Sequence, residues 1–251
     1  MIPHLHPAAT ALAHAQHVVV ITGAGISAES GIRTFRDTME GLWKDFDPAT
    51  LATPEAFERD PATVTRWYDW RRLGCLTAEP NPGHIALARL ERNLAATDRH
   101  FTLLTQNVDR LHQKAGSHNV FELHGSIIQW RCTQSARTTM PPPEPFTTFP
   151  PPSPFVPSAI LRPDVVWFGE SLPESALDAA DIAMRSCDLF LSIGTSSVVY
   201  PAAGFAELAR RRGASILEIN PNPTPLSPLA TWSLRGKAGD LLPALVDHAL
   251  A

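Results

Sequence analysis

The sequence predicts a doubly wound parallel α/β sheet with a small proline-rich module inserted into it. Three observations carry that expectation. Val18, Val19, Val20 and Ile21 form an unbroken β-branched run, the pattern of a strand buried on both faces. The run leads into Gly23-Ala24-Gly25, where two glycines permit a tight turn and a close approach of backbone to a ligand, and the chain beyond can open a helix. Downstream, short apolar runs alternate with segments of helical period, which indicates a parallel sheet covered by helices.

With 251 residues, 44% of them apolar, the chain can build one full α/β domain and a small insertion. Its formal charge of −4 gives no reason to expect nucleic acid or an acidic membrane surface as a partner. No apolar run approaches the length of a membrane span. Basic charge is almost all arginine, lysine occurring only at Lys44, Lys114 and Lys237. The planar guanidinium fork suits carboxylates and phosphates, so this bias favours an anionic ligand. Cys75, Cys132 and Cys187 are odd in number and widely spaced, which points to a reducing compartment rather than a disulfide scaffold. Residues 1–16 lack acids but also lack arginine and lysine, a poor match to a transit peptide. Cytosol or nucleus is the expected location, with the mitochondrion left open.

Taken in order, residues 7–16 read as a short helix beside the first strand. Gly23-x-Gly25-x-x-Ala28 fits the alanine variant of the dinucleotide-binding pattern, and by itself fits a packing turn equally well. Residues 31–43 have no clean period and read as a loop over a nucleotide crevice, with Arg36 beside Phe35 either clamping a pyrophosphate or lying on the surface. Thr53-Pro54-Glu55 and Asp60-Pro61 are cap-then-proline helix starts, so residues 53–73 read as helical. Tyr68 and Arg71 stand three apart on one face of that helix. Arg71 also fits a row of solvated charges with Arg66 and Arg72. Asn81-Pro82-Gly83 opens another helix, with Ile85, Leu87, Leu90 and Leu94 spaced for burial on one side.

Residues 101–105 form a second core strand, with Gln106, Asn107 and Asp109 at its carboxyl end, where open α/β sheets bind ligands. Residues 120–123 are a third strand leading to His124-Gly125 at the same edge. Ten of the chain's 24 prolines then lie between Pro141 and Pro163, a density that excludes regular helix and central strand. Residues 132–161 are therefore expected to be an insertion outside the sheet, held by Phe146, Phe149 and Phe155. Residues 17–131 and 162–251 then make the core of a single domain spanning 1–251. A helix over 175–187, a strand over 189–193 ending in Gly194-Thr195-Ser196-Ser197, and a helix over 201–212 follow. A strand over 215–219 ending in Asn220-Pro221-Asn222, and a last strand and helix around residues 236–240, complete the alternation.

In this order the motifs resemble those of the sirtuins, NAD-dependent protein-lysine deacylases, over roughly residues 10–250. They are Gly23-Ala24-Gly25-Ile26-Ser27, Gly31-Ile32-Arg33-Thr34-Phe35-Arg36, Thr105-Gln106-Asn107-Val108-Asp109, His124-Gly125, Val165-Val166-Trp167-Phe168-Gly169-Glu170, Gly194-Thr195-Ser196-Ser197 and Ile219-Asn220-Pro221. The resemblance implies a Rossmann-like core with Gly23 and Ser27 among its NAD-binding residues, Ala24, Gly25 and Arg36 holding the pyrophosphate, and Phe35 over the nicotinamide ribose. Gln106, Asn107 and Asp109 would serve the ribose and nicotinamide pocket. Gly194, Thr195 and Ser196 would line the phosphate and adenosine side, with Asn220 at the adenosine ribose and backbone near Ala238 at the adenine. Val165, Val166, Trp167, Phe168 and Gly169 would take an acyl-lysine peptide as an added strand. Catalysis would fall to His124, as general base, with Asn107. In the family's chemistry the acyl oxygen attacks the ribose carbon as nicotinamide leaves, and acyl-ADP-ribose and deacylated lysine are released.

One further match sharpens that resemblance, and one feature departs from it. Tyr68-x-x-Arg71 matches the pair that receives the acyl carboxylate in the desuccinylase and demalonylase branch, so acidic acyl groups are the expected substrates. Sirtuins also usually carry two Cys-x-x-Cys pairs after the catalytic histidine. Here Cys132 stands with Ser135 in its partner's place and no further cysteine precedes Cys187, so no zinc is expected. The expected partners are acyl-lysine proteins or peptides, without nucleic acid or membrane. Mono-ADP-ribosyl transfer, general deacetylation and non-catalytic binding of NAD or acyl-lysine are the alternatives that the same scaffold admits.

Overall fold

The computed structural model describes residues 3–32 and 47–251. Its described strands are β1 (His17–Thr22), β2 (His100–Thr105), β3 (Val120–Glu122), β4 (Gly125–Cys132), β5 (Thr138–Thr139), β6 (Leu161–Val165), β7 (Leu189–Ile193), β8 (Ser215–Ile219) and β9 (Trp232–Leu234). The helices are α1 (Leu5–His14), α2 (Ala24–Ser27), α3 (Pro48–Leu51), α4 (Pro54–Arg59), α5 (Pro61–Thr77), α6 (Pro82–Ala96), α7 (Leu111–Lys114), α8 (Glu174–Ser186), α9 (Gly204–Arg211) and α10 (Ala238–Leu250).

Six strands form one parallel sheet in the order β3-β2-β1-β7-β8-β9. The β-branched run of β1 lies near its centre, and successive side chains take opposite faces. Val18 and Val20 join Leu103, Leu191 and Leu217 in a core under α1, α6 and α10. Val19 and Ile21 join Leu104, Phe190 and Ile216 in a second core under α8 and α9. Burying each of these side chains is worth about 1.5–3 kcal/mol, which is why the run carries no polar residue. Strand order reverses between β1 and β7, so their carboxyl ends open the crevice in which sheets of this kind bind ligands.

The helix starts follow their caps. The Thr53 hydroxyl accepts from Ala56 N at 3.1 Å, Asp60 Oδ1 from Thr63 N at 3.0 Å and Asn81 Oδ1 from Gly83 N at 2.9 Å. Several boundaries differ from the pattern. Helix α1 begins and ends two residues earlier than 7–16 and packs against α10. Helix α9 starts at Gly204 rather than 201, because residues 201–203 form turns closed by Ala203 N to Val199 O and Gly204 N to Pro201 O. On α6, Ile85 is 52% exposed; it lies about 200° around the helix from fully buried Leu87. Arg72 departs furthest. It fits a row of solvated charges in the sequence, yet it is 1% exposed and paired with Asp69.

The proline-rich stretch is bracketed by a sheet of its own. Strands β5, β4 and β6 pair antiparallel in that order, so residues on both sides of 132–161 belong to this second sheet. It closes over α5 with a core of Trp67, Tyr68, Trp130, Leu161, Val165 and Trp167, against which Phe146 and Phe155 pack. Among the described residues no helix is long and apolar enough to cross a membrane.

Candidate active site

The crevice between β1 and β7 is closed at its floor by backbone. Gly23 N donates to Ile193 O at 3.0 Å and Gly25 N to Gly194 O at 2.9 Å. A Cβ on Gly25 would lie 2.7 Å from Gly194 Cα, and Gly194 itself sits at φ +60°, so neither position accepts a side chain. Two amides of the expected phosphate turn are thus spent on the neighbouring strand end. The glycine pattern here serves close packing as well as access.

Above that floor the polar side chains from different strand ends meet. Ser27 Oγ donates to Asp109 Oδ2 at 2.8 Å, and Asn107 Nδ2 donates to Ser27 Oγ at 3.0 Å and to Gly23 O at 3.2 Å. With both amide hydrogens of Asn107 engaged, its side-chain oxygen is the group it can offer a ligand. Asp109 also accepts from Leu111 N at 2.9 Å; burial nevertheless raises its carboxyl above the ordinary aspartate value. Gln106 Nε2 donates to Thr195 Oγ1 at 3.3 Å, and Asn220 Nδ2 donates to Thr195 O at 2.7 Å. The carboxyl ends of β1, β2, β7 and β8 are thereby linked into one polar surface, with half-buried Ser196 beside it. Ala238 closes the far end, its carbonyl 3.1 Å from where a Cβ on Gly83 would stand. Phe35 and Arg36 lie outside the described residues.

His124 follows β3 at the same edge. Its Nδ1 lies 3.0 Å from Gln106 O. A carbonyl can only accept, so Nδ1 carries the proton and Nε2 is left with its lone pair. Burial lowers the imidazole below its ordinary value, while the bond to Gln106 pulls the other way. The ring is therefore neutral at pH 7 and able to accept a proton at Nε2.

The second sheet carries the other half of the site. Val166 N donates to His124 O at 2.9 Å, which seats residues 165–169 beside the histidine. Trp167 N donates to Glu170 Oε2 at 2.9 Å, and Phe168 N to Ala52 O at 2.9 Å. These three amides are engaged within the chain, and Phe168 and Gly169 stand exposed beside them. The Trp167 ring is fixed under Arg162, whose guanidinium stands 3.3 Å from the ring centroid and pairs with Glu170 at 2.7 and 2.9 Å. Trp167 Nε1 donates to Tyr68 Oη at 3.1 Å. Tyr68 is thereby joined to Trp167, the neighbour of the residue whose amide bonds His124 O. The Arg71 guanidinium lies 4.7 Å from the Trp67 ring and 5.5 Å from that of Tyr68. Burial pushes the Tyr68 phenol up to about 12, so it keeps its proton at neutral pH and can donate it.

A layer beneath Asn107 and Ser27 has no marked signal in the sequence. His112 Nε2 bonds Thr22 Oγ1 at 2.9 Å, Thr22 bonds Thr105 Oγ1 at 2.8 Å, and Asn107 N donates to that same oxygen at 3.1 Å. His84 stands 4.8 Å from His112, ring to ring, with its Nε2 3.4 Å from Ser27 Oγ. Burial pushes the His84 imidazole down to about 4, so the layer is uncharged at neutral pH. A histidine among leucines on a helix looks like any core residue, and only its spacing from Asn81 hints at this place.

The position of a structural metal was tested on its donors. Cys132 ends β4 and is 2% exposed. Burial raises its thiol, but hydrogen bonds with the Ser135 and Ser153 hydroxyls and the amides of Gln134 and Ser135 outweigh that and bring it down to about 7. One thiol with two hydroxyls is not a zinc donor set, and among the described residues no cluster of three or more His, Cys, Asp or Glu is arranged to hold a metal. Strong chelators are expected to leave the melting temperature unchanged, with elemental analysis finding far less than one zinc per chain. Stoichiometric zinc, or a chelator-induced loss of stability, would contradict this.

Known proteins share both sequence and fold. The Sir2 family model matches residues 23–201. An NAD-dependent protein deacylase from Methylococcus capsulatus is 48% identical over 94% of this chain and 93% of its own length. A solved Sir2 homologue in complex with NAD is 44% identical, covers 96% of this chain and 92% of its own, and superposes with a TM-score of 0.87. A Sir2 variant solved with a deacetylated p53 peptide and 3′-O-acetyl ADP ribose is 29% identical, covers 95% and 96%, and has a TM-score of 0.83.

Proposed function

The chain belongs to the Sir2 family, and from that membership we propose that it is an NAD-dependent protein-lysine deacylase favouring acyl groups that end in a carboxylate. The relatives named as NAD-dependent deacylases support the reaction. The acyl preference rests on one observation, the meeting of Tyr68 with Arg71 and with Trp167, next to Val166 whose amide bonds His124 O.

The crevice fits NAD in its own chemistry. The side-chain oxygen of Asn107, the Asp109 carboxylate and Gln106 suit a nicotinamide ribose and amide. Thr195, Ser196 and Asn220 suit the phosphate and adenosine side, and Ala238 the adenine. Bound there, NAD would supply an activated ribose carbon from which nicotinamide departs. The chain's own part is to orient that group and to handle the proton. His124 Nε2 takes a proton from a ribose hydroxyl, with the bond from Nδ1 to Gln106 keeping the ring in the tautomer that can do so. Trp167, held at its backbone amide, its ring face and its indole N–H, would give the peptide strand a rigid wall. A succinyl or malonyl carboxylate buried without a partner would cost several kcal/mol. Arg71 meets it with a charge-assisted bond, and the Tyr68 hydroxyl, whose oxygen already accepts from Trp167, donates a second.

Mass spectrometry of a reaction containing a succinyl-lysine peptide and NAD tests the chemistry. Free lysine peptide, nicotinamide and succinyl-ADP-ribose are expected. An ADP-ribosylated peptide would point to transfer instead, and no turnover by a folded protein would leave only binding.

A further inference from the structure

Besides its apolar packing, helix α5 makes two polar contacts on adjoining faces. One is the meeting of Tyr68 with Trp167. The other is a pair of buried charges on the adjoining face. Arg72 and Asp69 are 1% and 2% exposed, and Arg72 Nε and one terminal nitrogen donate to Asp69 Oδ1 at 2.9 and 2.7 Å. The pair is not closed on itself. Arg72 also donates to Pro142 O at 2.8 Å and to Glu144 O at 2.7 Å, while Asp69 Oδ2 accepts from Phe146 N at 3.0 Å. The Phe146 ring lies 5.3 Å from the Arg72 guanidinium and packs edge-on against Trp130 of β4 at 4.8 Å. Further along, Arg66 of the same helix stands 5.2 Å from the Phe149 ring.

Two charges removed from water need full hydrogen bonding to persist, and here the partners are backbone groups of the proline-rich segment. That segment is thus fastened to α5 at three points within five residues. Turning α5 about its axis, or sliding it, would strain the bonds to 142–146 together with the contact between Tyr68 and Trp167.

We infer that Asp69 and Arg72 are positioning residues for acyl recognition: they clasp the proline-rich segment to α5 and so hold Tyr68 and Arg71 in register with Trp167. The inference rests on the acyl reading proposed above. It assigns to the segment a part in substrate choice that its prolines alone do not reveal.

Asp69→Leu combined with Arg72→Met removes both charges at similar volume and breaks the three bonds to the segment, leaving no buried charge unpaired. Expected results are a folded chain, loss of hydrogen-exchange protection at the Phe146 amide, and a peptide KM raised about tenfold. The succinyl-to-acetyl ratio of kcat/KM should fall about tenfold while the KM for NAD stays within about twofold. Phe146→Ala, which keeps the charges paired, should move the same quantities less far and decides the matter if the double variant fails to fold. A folded variant with unchanged peptide KM and unchanged ratio overturns the inference. So do equal losses for both peptides accompanied by a raised KM for NAD, which describe general damage. Should the native chain show no succinyl preference, the acyl reading fails by itself. The clasp is then judged on the acetyl-peptide KM and the Phe146 amide.

Discussion

His124→Ala is expected to lower NAD-dependent deacylation by roughly 10²–10⁴-fold, the span usual for loss of a general base. The fold should survive, because the contact that seats Val166 uses the His124 backbone carbonyl, which alanine keeps. Among the described residues the side chain bonds Gln106 O, and alanine removes that single contact. The native enzyme's pH profile carries the same signature. Burial lowers the His124 imidazole below its ordinary value near 6.5, so the base stays neutral at that pH and the acid limb of kcat/KM falls below it. In His124→Ala that limb should vanish. Near-normal turnover by a folded variant would remove His124 from the chemistry.

Arg71→Met is expected to depress desuccinylation by roughly 10²-fold or more while sparing or improving deacetylation. Truncating one partner of a buried, hydrogen-bonded charge pair costs about 2–5 kcal/mol, or roughly 30- to 5,000-fold, a span that contains the expected loss. Methionine keeps an apolar stem of similar length but gives up the guanidinium that stands over the Trp67 and Tyr68 rings, so a stability loss of about 0.5–2 kcal/mol is expected beside the kinetic effect. The acetyl group has no carboxylate to be orphaned, which is why the two substrates should part company. Equal harm to both would assign Arg71 to the helix's packing rather than to substrate.

Much of this architecture is legible in the residues because it follows from burial. The β-branched run of β1 has one stable place, a strand covered on both faces, and the polar clusters behind β1, β2, β7 and β8 then fall at one edge by topology. The caps at Thr53, Asp60 and Asn81 are local hydrogen bonds, so they too are readable without the fold. The second sheet is not. Pro163 and the prolines before it argue against a strand, yet β6 is an edge strand, where a missing amide costs no ladder bond, and Pro163 sits there opposite Trp130.

The candidate site is legible where motif and strand end coincide, at Gln106, Asn107, Asp109 and His124, which topology places at one edge. It is illegible where a residue's meaning comes from a partner far along the chain. Asp69 and Arg72, three apart on a helix, look like solvated charges until residues 142–146 close over them. His84 and His112 look like ordinary core histidines until their helices bring them beneath Ser27 and Thr22.

The acyl reading is tested most directly by kcat/KM of the native enzyme for succinyl-lysine against acetyl-lysine in the same peptide, with NAD saturating. The Tyr68–Arg71 arrangement predicts a ratio of at least about tenfold in favour of succinyl, since a site built to pair a charged group discriminates against a substrate lacking it. A ratio at or below unity would contradict it.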